Sequence, residues 1–339
     1  MEFNAIGKET VFLNPKKDME KKSIKSEIRF DPLTGRTARI CHFMKLAWEK
    51  PDFDSMVKSV SFCPFCPQTI FEVTPCFENS LIPEGRAVKD DMVIVPNIAP
   101  YDSLGAVLVM TDRHYIPMTE ITSRKITDAF MFAKHFFERV EAAGHSEAVY
   151  HIVNWNYMPP SGSSIIHPHL QVFSTSTPPN LMREALTASE AYAEANKSLY
   201  WDDFTEKEKN EGKRYLGAVG NTQWFVSYAP LGVAGDVMAV VDNKTNTMDL
   251  TEDDFMNLAD GLTRLMAAYD KMGIYSFNMN FFTGKKGDDH FRFFIIFSPR
   301  TYFNQKLGTP DAGALRHLFN ESVCMAYPEE IAEMLKPYF

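Results

Sequence analysis

Residues 156–171 read Asn156-Tyr-Met-Pro-Pro-Ser-Gly162-Ser163-Ser164-Ile-Ile-His167-Pro-His169-Leu-Gln171. The run 165–173 reads as a strand, and in a strand residues two apart face the same side. His167, His169 and Gln171 are therefore expected to project together. The Pro/Ser/Gly loop before them can present backbone N–H groups and the hydroxyls of Ser163 or Ser164 to a phosphate. An imidazole beside such a loop can attack phosphorus and form a covalent intermediate. Two histidines on a strand can equally be satisfied structural residues or metal ligands, so these residues alone leave both readings open.

Moving outward, two amphipathic helices stand on either side of this stretch. From Ser123, the apolar positions Ile126, Phe130, Ala133, Phe137 and Val140 recur at helical spacing up to Gly144. From Thr251, the positions Phe255, Leu258, Leu262, Leu265 and Tyr269 do the same up to Gly273, with Thr251 and Asp254 placed as an N-cap pair. Apolar runs at 106–110 and 237–241 precede the helices. Runs at 148–156 and 165–173 follow the first, and 275–282 and 291–297 follow the second.

The two halves thus repeat strand, helix, strand, loop, strand, and Asn154-Trp-Asn156 and Asn278-Met-Asn280 take corresponding places. The pattern predicts an α+β fold with internal duplication, each unit packing helices on one side of a mostly antiparallel sheet. The expected division is residues 1–188, a polar connection at 189–213, and 214–339, with His169 equivalent to Arg292 or a neighbour.

With 27 Phe and 13 Tyr among 339 residues, the chain can bury a sizeable core in two domains. A formal charge of −9 gives no electrostatic footprint for nucleic acid or an anionic membrane surface, although phosphates can still be bound locally. The first residues lack an apolar signal core, and no run has the length of a membrane span. Five cysteines are too few and too scattered for a disulfide framework, which predicts a soluble, cytoplasmic protein.

Cys63-Pro-Phe-Cys66 is a zinc knuckle or a redox pair by spacing. No thioredoxin-like βαβ pattern surrounds it. Zinc needs two more ligands, for which His114, in Asp112-Arg-His-Tyr, and one of His167 and His169 are candidates. Cys41, Cys76 and Cys324 have no partner spacing, and His42, His135, His145, His151 and His317 fall in no pattern.

The order C-P-F-C, then D-R-H-Y-I-P-M-T-E, then the Asn156–Gln171 stretch resembles the galactose-1-phosphate uridylyltransferase family. This is the transferase branch of the histidine-triad superfamily, whose relatives include ADP-glucose phosphorylase and diadenosine tetraphosphate phosphorylase. Arg29-Phe-Asp-Pro-Leu-Thr-Gly35 resembles that family's N-terminal segment. The motifs match over about residues 28–185, and element order alone carries the likeness further.

The resemblance implies one structural zinc (Zn2+) on Cys63, Cys66, His114 and His167. It makes His169 the nucleophile, oriented by the His167 backbone carbonyl, and Gln171 the residue that hydrogen-bonds the α-phosphate. Asn156, Gly162 and Ser164 match phosphate-lining positions, and Asn97 falls where the family contacts base and ribose. It further implies a homodimer and double displacement between a nucleotide sugar and a sugar phosphate or inorganic phosphate.

Several positions depart from the family pattern. Phe294 and Ile296 stand where relatives with a second metal carry histidines, and Glu184 would lack those partners, so no second metal is expected. Leu315 replaces the glutamate that reads hexose hydroxyls, Leu170 replaces a glycine, and Lys45 is the only cation near Met44–Ala47 where arginines are usual. A nucleotide phosphorylase or hydrolase of the same superfamily and a non-catalytic zinc-stabilised nucleotide-binding protein are the alternatives. A hydrolase would normally carry histidine in place of Gln171.

Overall fold

The computed structural model describes residues 1–42 and 48–339. Alternation decides its centre. On β7 (Tyr150–Tyr157), Val153, Trp155 and Tyr157 point into a core while Asn154 and Asn156 point the other way. Trp155 is fully buried, edge-on to Phe277 at 5.0 Å. One face of the junction between the halves is therefore aromatic core and the opposite face is polar.

The sheet holding β7 has ten antiparallel strands. One half runs β4 (Ala87–Lys89), β5 (Met92–Pro96), β6 (Leu104–Val109), β8 (His169–Thr175), β7; the other continues β12 (Ser276–Phe282), β13 (Phe294–Arg300), β11 (Val237–Val241), β10 (Thr222–Val226), β9 (Tyr215–Val219). The order repeats in mirror image, so the fold is α+β with two histidine-triad-like units sharing one sheet. Gln171 pairs with Asn154, Asn154 with Asn280, and Asn280 with Ile296. A pseudo-twofold through the Asn154–Asn280 pair superimposes the limits of β5 on β10 and of β8 on β13.

That register corrects two expectations. Phe294, the first residue of β13, takes the place of His169, the first residue of β8, and Arg292 falls at the position of His167. The two Asn-x-Asn segments are directly opposed cross-strand partners, and under this dyad Asn154 corresponds to Asn280 while Asn156 corresponds to Phe282. They are not equivalents.

Helices α3 (Ser123–Ala142) and α6 (Glu252–Lys271) cover the aromatic face, burying the periodic residues named above. Thr122 caps α3 by accepting from the Lys125 N–H, and Gly144 follows its end at φ 71°. Thr251 and Asp254 form a reciprocal capping box on α6. At Gly261 the fully buried Trp224 ring occupies the space a Cβ would need. Gly261→Ala should therefore destabilise the protein by about 1–3 kcal/mol through overpacking, despite alanine's better helix propensity. A denaturant midpoint at or above wild type would refute that packing.

The helices are not confined to one side. α4 (Asn180–Asn196) and α5 (Tyr200–Glu211), formed from the stretch expected to be a polar connection and the residues before it, pack on the opposite face. Trp201 meets Phe294 at 4.4 Å and Phe204 meets Phe225 at 5.2 Å. This second apolar layer runs over the second unit and reaches Tyr150, Ile152 and Phe173 of the first, while Asn154, Asn278 and Asn280 face an open cavity beside it.

A smaller sheet joins the chain's ends: β1 (Ala5–Asn14), β2 (Glu20–Phe30) and β3 (Thr37–Ile40), with β16 (Ser322–Cys324) parallel to β3. Arg29, buried at 6% exposure, forms a two-pronged ion pair with Glu329 of α8 (Pro328–Leu335), which also pairs with Arg214. Asp31 accepts from the Leu33 and Thr34 N–H groups, a turn closed by Gly35 at φ 74°. Residues 29–35 thus do structural work. The remaining elements are short: α1 (Phe53–Lys58) and α2 (Ile70–Val73) flank the two-cysteine segment, and the β14 (Tyr302–Asn304)–β15 (Thr309–Pro310) hairpin precedes α7 (Ala314–Phe319). Among the described residues, no helix is long and apolar enough to cross a membrane.

Candidate active site

The loop 158–168 is built to turn sharply. Met158 has φ 67° and is buried, and two prolines then start a 3-10 turn. Gly162 closes the turn at φ 88°, with open space where a side chain would sit. A non-glycine residue there would cost about 1–2 kcal/mol of backbone strain. Ser163 is turned inward, its hydroxyl donating to the Ile165 carbonyl at 2.7 Å, so it is not free for a phosphate. Gly162 and Ser164 are exposed.

Strand β8 starts at His169, later than the sequence suggests. Pro168 offers no N–H, and its carbonyl accepts from the Met110 N–H at 3.0 Å as the ladder begins. His169 and Gln171 share the polar face of β8, as expected. His167 does not join them: it lies outside the strand, 1% exposed, aimed at the cysteines.

Cys63, Cys66, His114 and His167 form one group, their ligating atoms all within 4.8 Å of one another. Cys63 Sγ lies 3.6 Å from His167 Nδ1 and Cys66 Sγ lies 3.4 Å from His114 Nδ1, near the roughly 3.5 Å that a tetrahedral ion with two sulfur and two nitrogen ligands requires. Both thiols are free. Burial, reinforced by the adjacent Cys63, pushes the Cys66 thiol up to about 11, so this thiol needs a cation beside it to ionise at neutral pH. The Nε2–H of His167 donates to the Thr111 carbonyl at 2.7 Å, which presents the Nδ1 lone pair to the thiols. Burial also pushes His167 down to about 4, keeping it neutral, as a ligand must be. The group can hold one metal ion.

The nucleophile candidate is anchored by this group. His169 Nδ1–H donates to the His167 carbonyl at 2.7 Å, which fixes the tautomer and leaves the lone pair on Nε2. The ring of Phe65, between the two cysteines, packs 5.3 Å from that of His169. Burial, partly offset by the His167 carbonyl, lowers the imidazole's pKa and keeps it neutral. Gln171 Oε1 is buried without a hydrogen-bond partner. Asn156 is held by Asn278, whose Nδ2 donates to Asn156 Oδ1 at 2.6 Å and to the Ser161 carbonyl at 3.0 Å.

Asn97 sits on the β5–β6 connection, its N–H on the Gly105 carbonyl and its side chain accepting from the Ala99 N–H. It lies level with Phe173, two strands over and four residues along from His169, so the structure does not bring it to the His169 side chain. Phe294 and Ile296 belong to the apolar layer with Trp201 and Phe282, while Glu184 is ion-paired to Arg36 at 3.5 Å. Met44 to Ala47, Lys45 included, lie outside the described residues. His151 is structural, buried between Ser174 and Glu141 and stacked on Phe137.

No family model matches the chain. Among solved structures, a uridylyltransferase mutant is similar with a TM-score of 0.65 at 19% identity, over 92% of this chain and 97% of that one. An ADP-glucose phosphorylase from Arabidopsis thaliana, solved with bound ADP-glucose, gives a TM-score of 0.68 at 15% identity over 92% and 98%. This is the galactose-1-phosphate uridylyltransferase fold. An uncharacterized protein of Archaeoglobus fulgidus is 30% identical over 313 residues, 91% of each chain. The two chains belong to one family.

The uridylyltransferase fold also brings in residues that sequence reading passed over. Phe65 lies inside the C-P-F-C motif, but only the fold puts it against His169. Arg300 reaches the Asn278 side chain at 2.5 Å, yet it lies far along the chain from every motif.

Proposed function

We propose that this protein is a nucleotidyltransferase working by double displacement through His169. The observation that carries the reading is the hydrogen bond from His169 Nδ1 to the His167 carbonyl, which leaves Nε2 as the free lone pair on the same strand face as Gln171. His169 Nε2 attacks the α-phosphorus of a nucleoside diphosphate sugar or similar donor. An N–P bond forms, the P–O bond to the sugar phosphate breaks, and the leaving group departs with the electron pair. The Nδ1–H stays on the ring, where the His167 carbonyl stabilises the positive charge that develops. A phosphate oxygen of the acceptor, a sugar 1-phosphate or inorganic phosphate, then takes the nucleotidyl group and frees His169.

Donors fixed in advance lower such a barrier most. The side-chain N–H groups of Gln171 and Asn156 would supply them, while the Ser161 and Gly162 N–H groups are already bonded within the turn. Gln171 offers a hydrogen bond but neither an acidic proton nor a base for water, which favours a phosphate acceptor over hydrolysis. We assign zinc to the group of Cys63, Cys66, His114 and His167; four protein ligands leave no open position, so its role is structural. It would fix Phe65 and His167, and through them His169. The family resemblance supports a homodimer.

The test is the fate of label from a panel of α-³²P nucleotide sugars. Label held on protein and released only by sugar phosphate or inorganic phosphate supports transfer. Label appearing directly as free mononucleotide in water identifies a hydrolase, and nucleotide binding without labelling identifies a binding protein. Gln171→His should raise hydrolysis relative to transfer, because the new ring can relay a proton from water.

A further inference from the structure

A cavity of about 1180 Å³ opens on the polar face next to the His169 site. Asn154 and Asn278 form its near wall; the first is the ladder partner of Gln171 and the second holds Asn156. Arg300, which donates to Asn278 at 2.5 Å, lines it too, with Asp311, Arg316 and Glu321.

The charges there are unevenly matched. Asp311 is committed to Arg300 through contacts of 2.5–3.0 Å and also accepts from the Thr301 N–H. Glu321 is taken by Arg39 at 3.1 Å and by the Thr37 hydroxyl. Arg316 has one anchor, Nη1 on the Ser322 hydroxyl at 2.7 Å, and among the described residues no carboxylate within ion-pair distance. A guanidinium has five N–H donors in a fixed fork, so most of its binding capacity is unspent. Burial lowers its pKa; Asp236 opposes that shift, while Arg36 and Arg300 add to it. A half-buried cation pressed by two others gains most from an anion entering the cavity. Asp102, the remaining carboxylate on the lining, lies at the opposite end of the strands, beside Ser103 and Thr175.

We propose that this cavity is the acceptor site, and that Arg316 reads a second anionic group on the sugar 1-phosphate. That group is a carboxylate or a phosphate at the end of the sugar away from the reacting phosphate. The inference rests on the transfer reading for the identity of the first phosphate. Strands β8 and β13 are three inter-strand steps apart, about 14 Å between backbones. A hexose with an anionic group at each end is long enough to cross from β8 toward β13, whose Arg300 lines the same cavity as Arg316 of α7.

The experiment chases nucleotidylated protein with glucose 1-phosphate, glucuronate 1-phosphate and glucose 1,6-bisphosphate. At least one acidic acceptor should exceed glucose 1-phosphate in kcat/KM by about tenfold or more, the scale of one charge-assisted contact, and the preferred one names the group. Arg316→Gln should collapse that ratio, and Arg316→Lys, which keeps the charge, should retain part of it. Equal chase by all three, or a ratio unchanged in Arg316→Gln, overturns the proposal while leaving transfer intact. Calorimetry with the same three compounds on unlabelled protein separates the two claims. If no donor labels His169 but the acidic compounds still bind more tightly through Arg316, transfer fails and the anion site stands.

Discussion

Replacing His169 with alanine is expected to abolish the covalent adduct and lower turnover by about 10⁴-fold or more, the scale of losing a catalytic nucleophile. The substitution removes the attacking Nε2 while leaving the metal-binding group, the Gly162 turn and the core untouched, so the melting temperature should hardly move. Gln171→Ala should be milder, about 10²- to 10³-fold, because it removes one donor to the developing phosphate charge. Steady-state turnover of whichever donor labels wild type measures both. An alanine variant at 169 that keeps more than about one per cent of wild-type turnover would contradict a covalent role, since binding and charge stabilisation alone fall well below that level.

The second large effect is expected from the metal-binding group. Cys66→Ser should lower stability by about 3 kcal/mol or more, because ligand-set binding energy is also folding energy. Elemental analysis should find one zinc per chain in wild type and far less in the variant. A chelator should lower the wild-type melting temperature and leave that of the variant nearly unchanged. Activity should fall only as His169 loses support, through Phe65 at 5.3 Å and the His167 carbonyl at 2.7 Å. Fresh wild-type protein free of metal, or melting indifferent to Cys66→Ser, would remove zinc from the account.

How much of this was legible in the sequence follows from the range of the interactions involved. The helices at 123 and 251 were readable because periodic burial and capping are local: Thr251 and Asp254 close their box within one turn. The grouping of Cys63, Cys66, His114 and His167 was readable only through the family resemblance, since spacing left the fourth ligand open between two histidines. His167 does not share the orientation of His169, because strand alternation does not extend across Pro168, where the ladder has not yet begun and the His167 ring turns back to the thiols.

Helix placement and the dyad depended on longer-range facts. Residues 189–211 look polar overall, but Tyr200, Trp201 and Phe204 gather on one side of α5 and cover the second face of the sheet. Equivalence of the two units could not be fixed by matching Asn-x-Asn motifs, because cross-strand partners in an antiparallel pair resemble repeats displaced by two residues. Arg300, Asp311 and Arg316 had no signature either. Their significance comes from which carboxylates are already taken, and only the folded chain shows that.

The central claim is a nucleotidyl group carried on His169, and intact-protein mass spectrometry tests it most directly. Wild type and His169→Ala are each mixed with UDP-glucose, UDP-galactose, ADP-glucose and a GDP-sugar in turn. The expected result is a gain of one nucleotidyl mass from at least one donor in wild type only, mapped to the peptide containing His169 and removed by phosphate or a sugar phosphate. The mass gained names the base. A mass gain that persists in His169→Ala, or no gain from any donor under conditions where the nucleotide is bound, would contradict it.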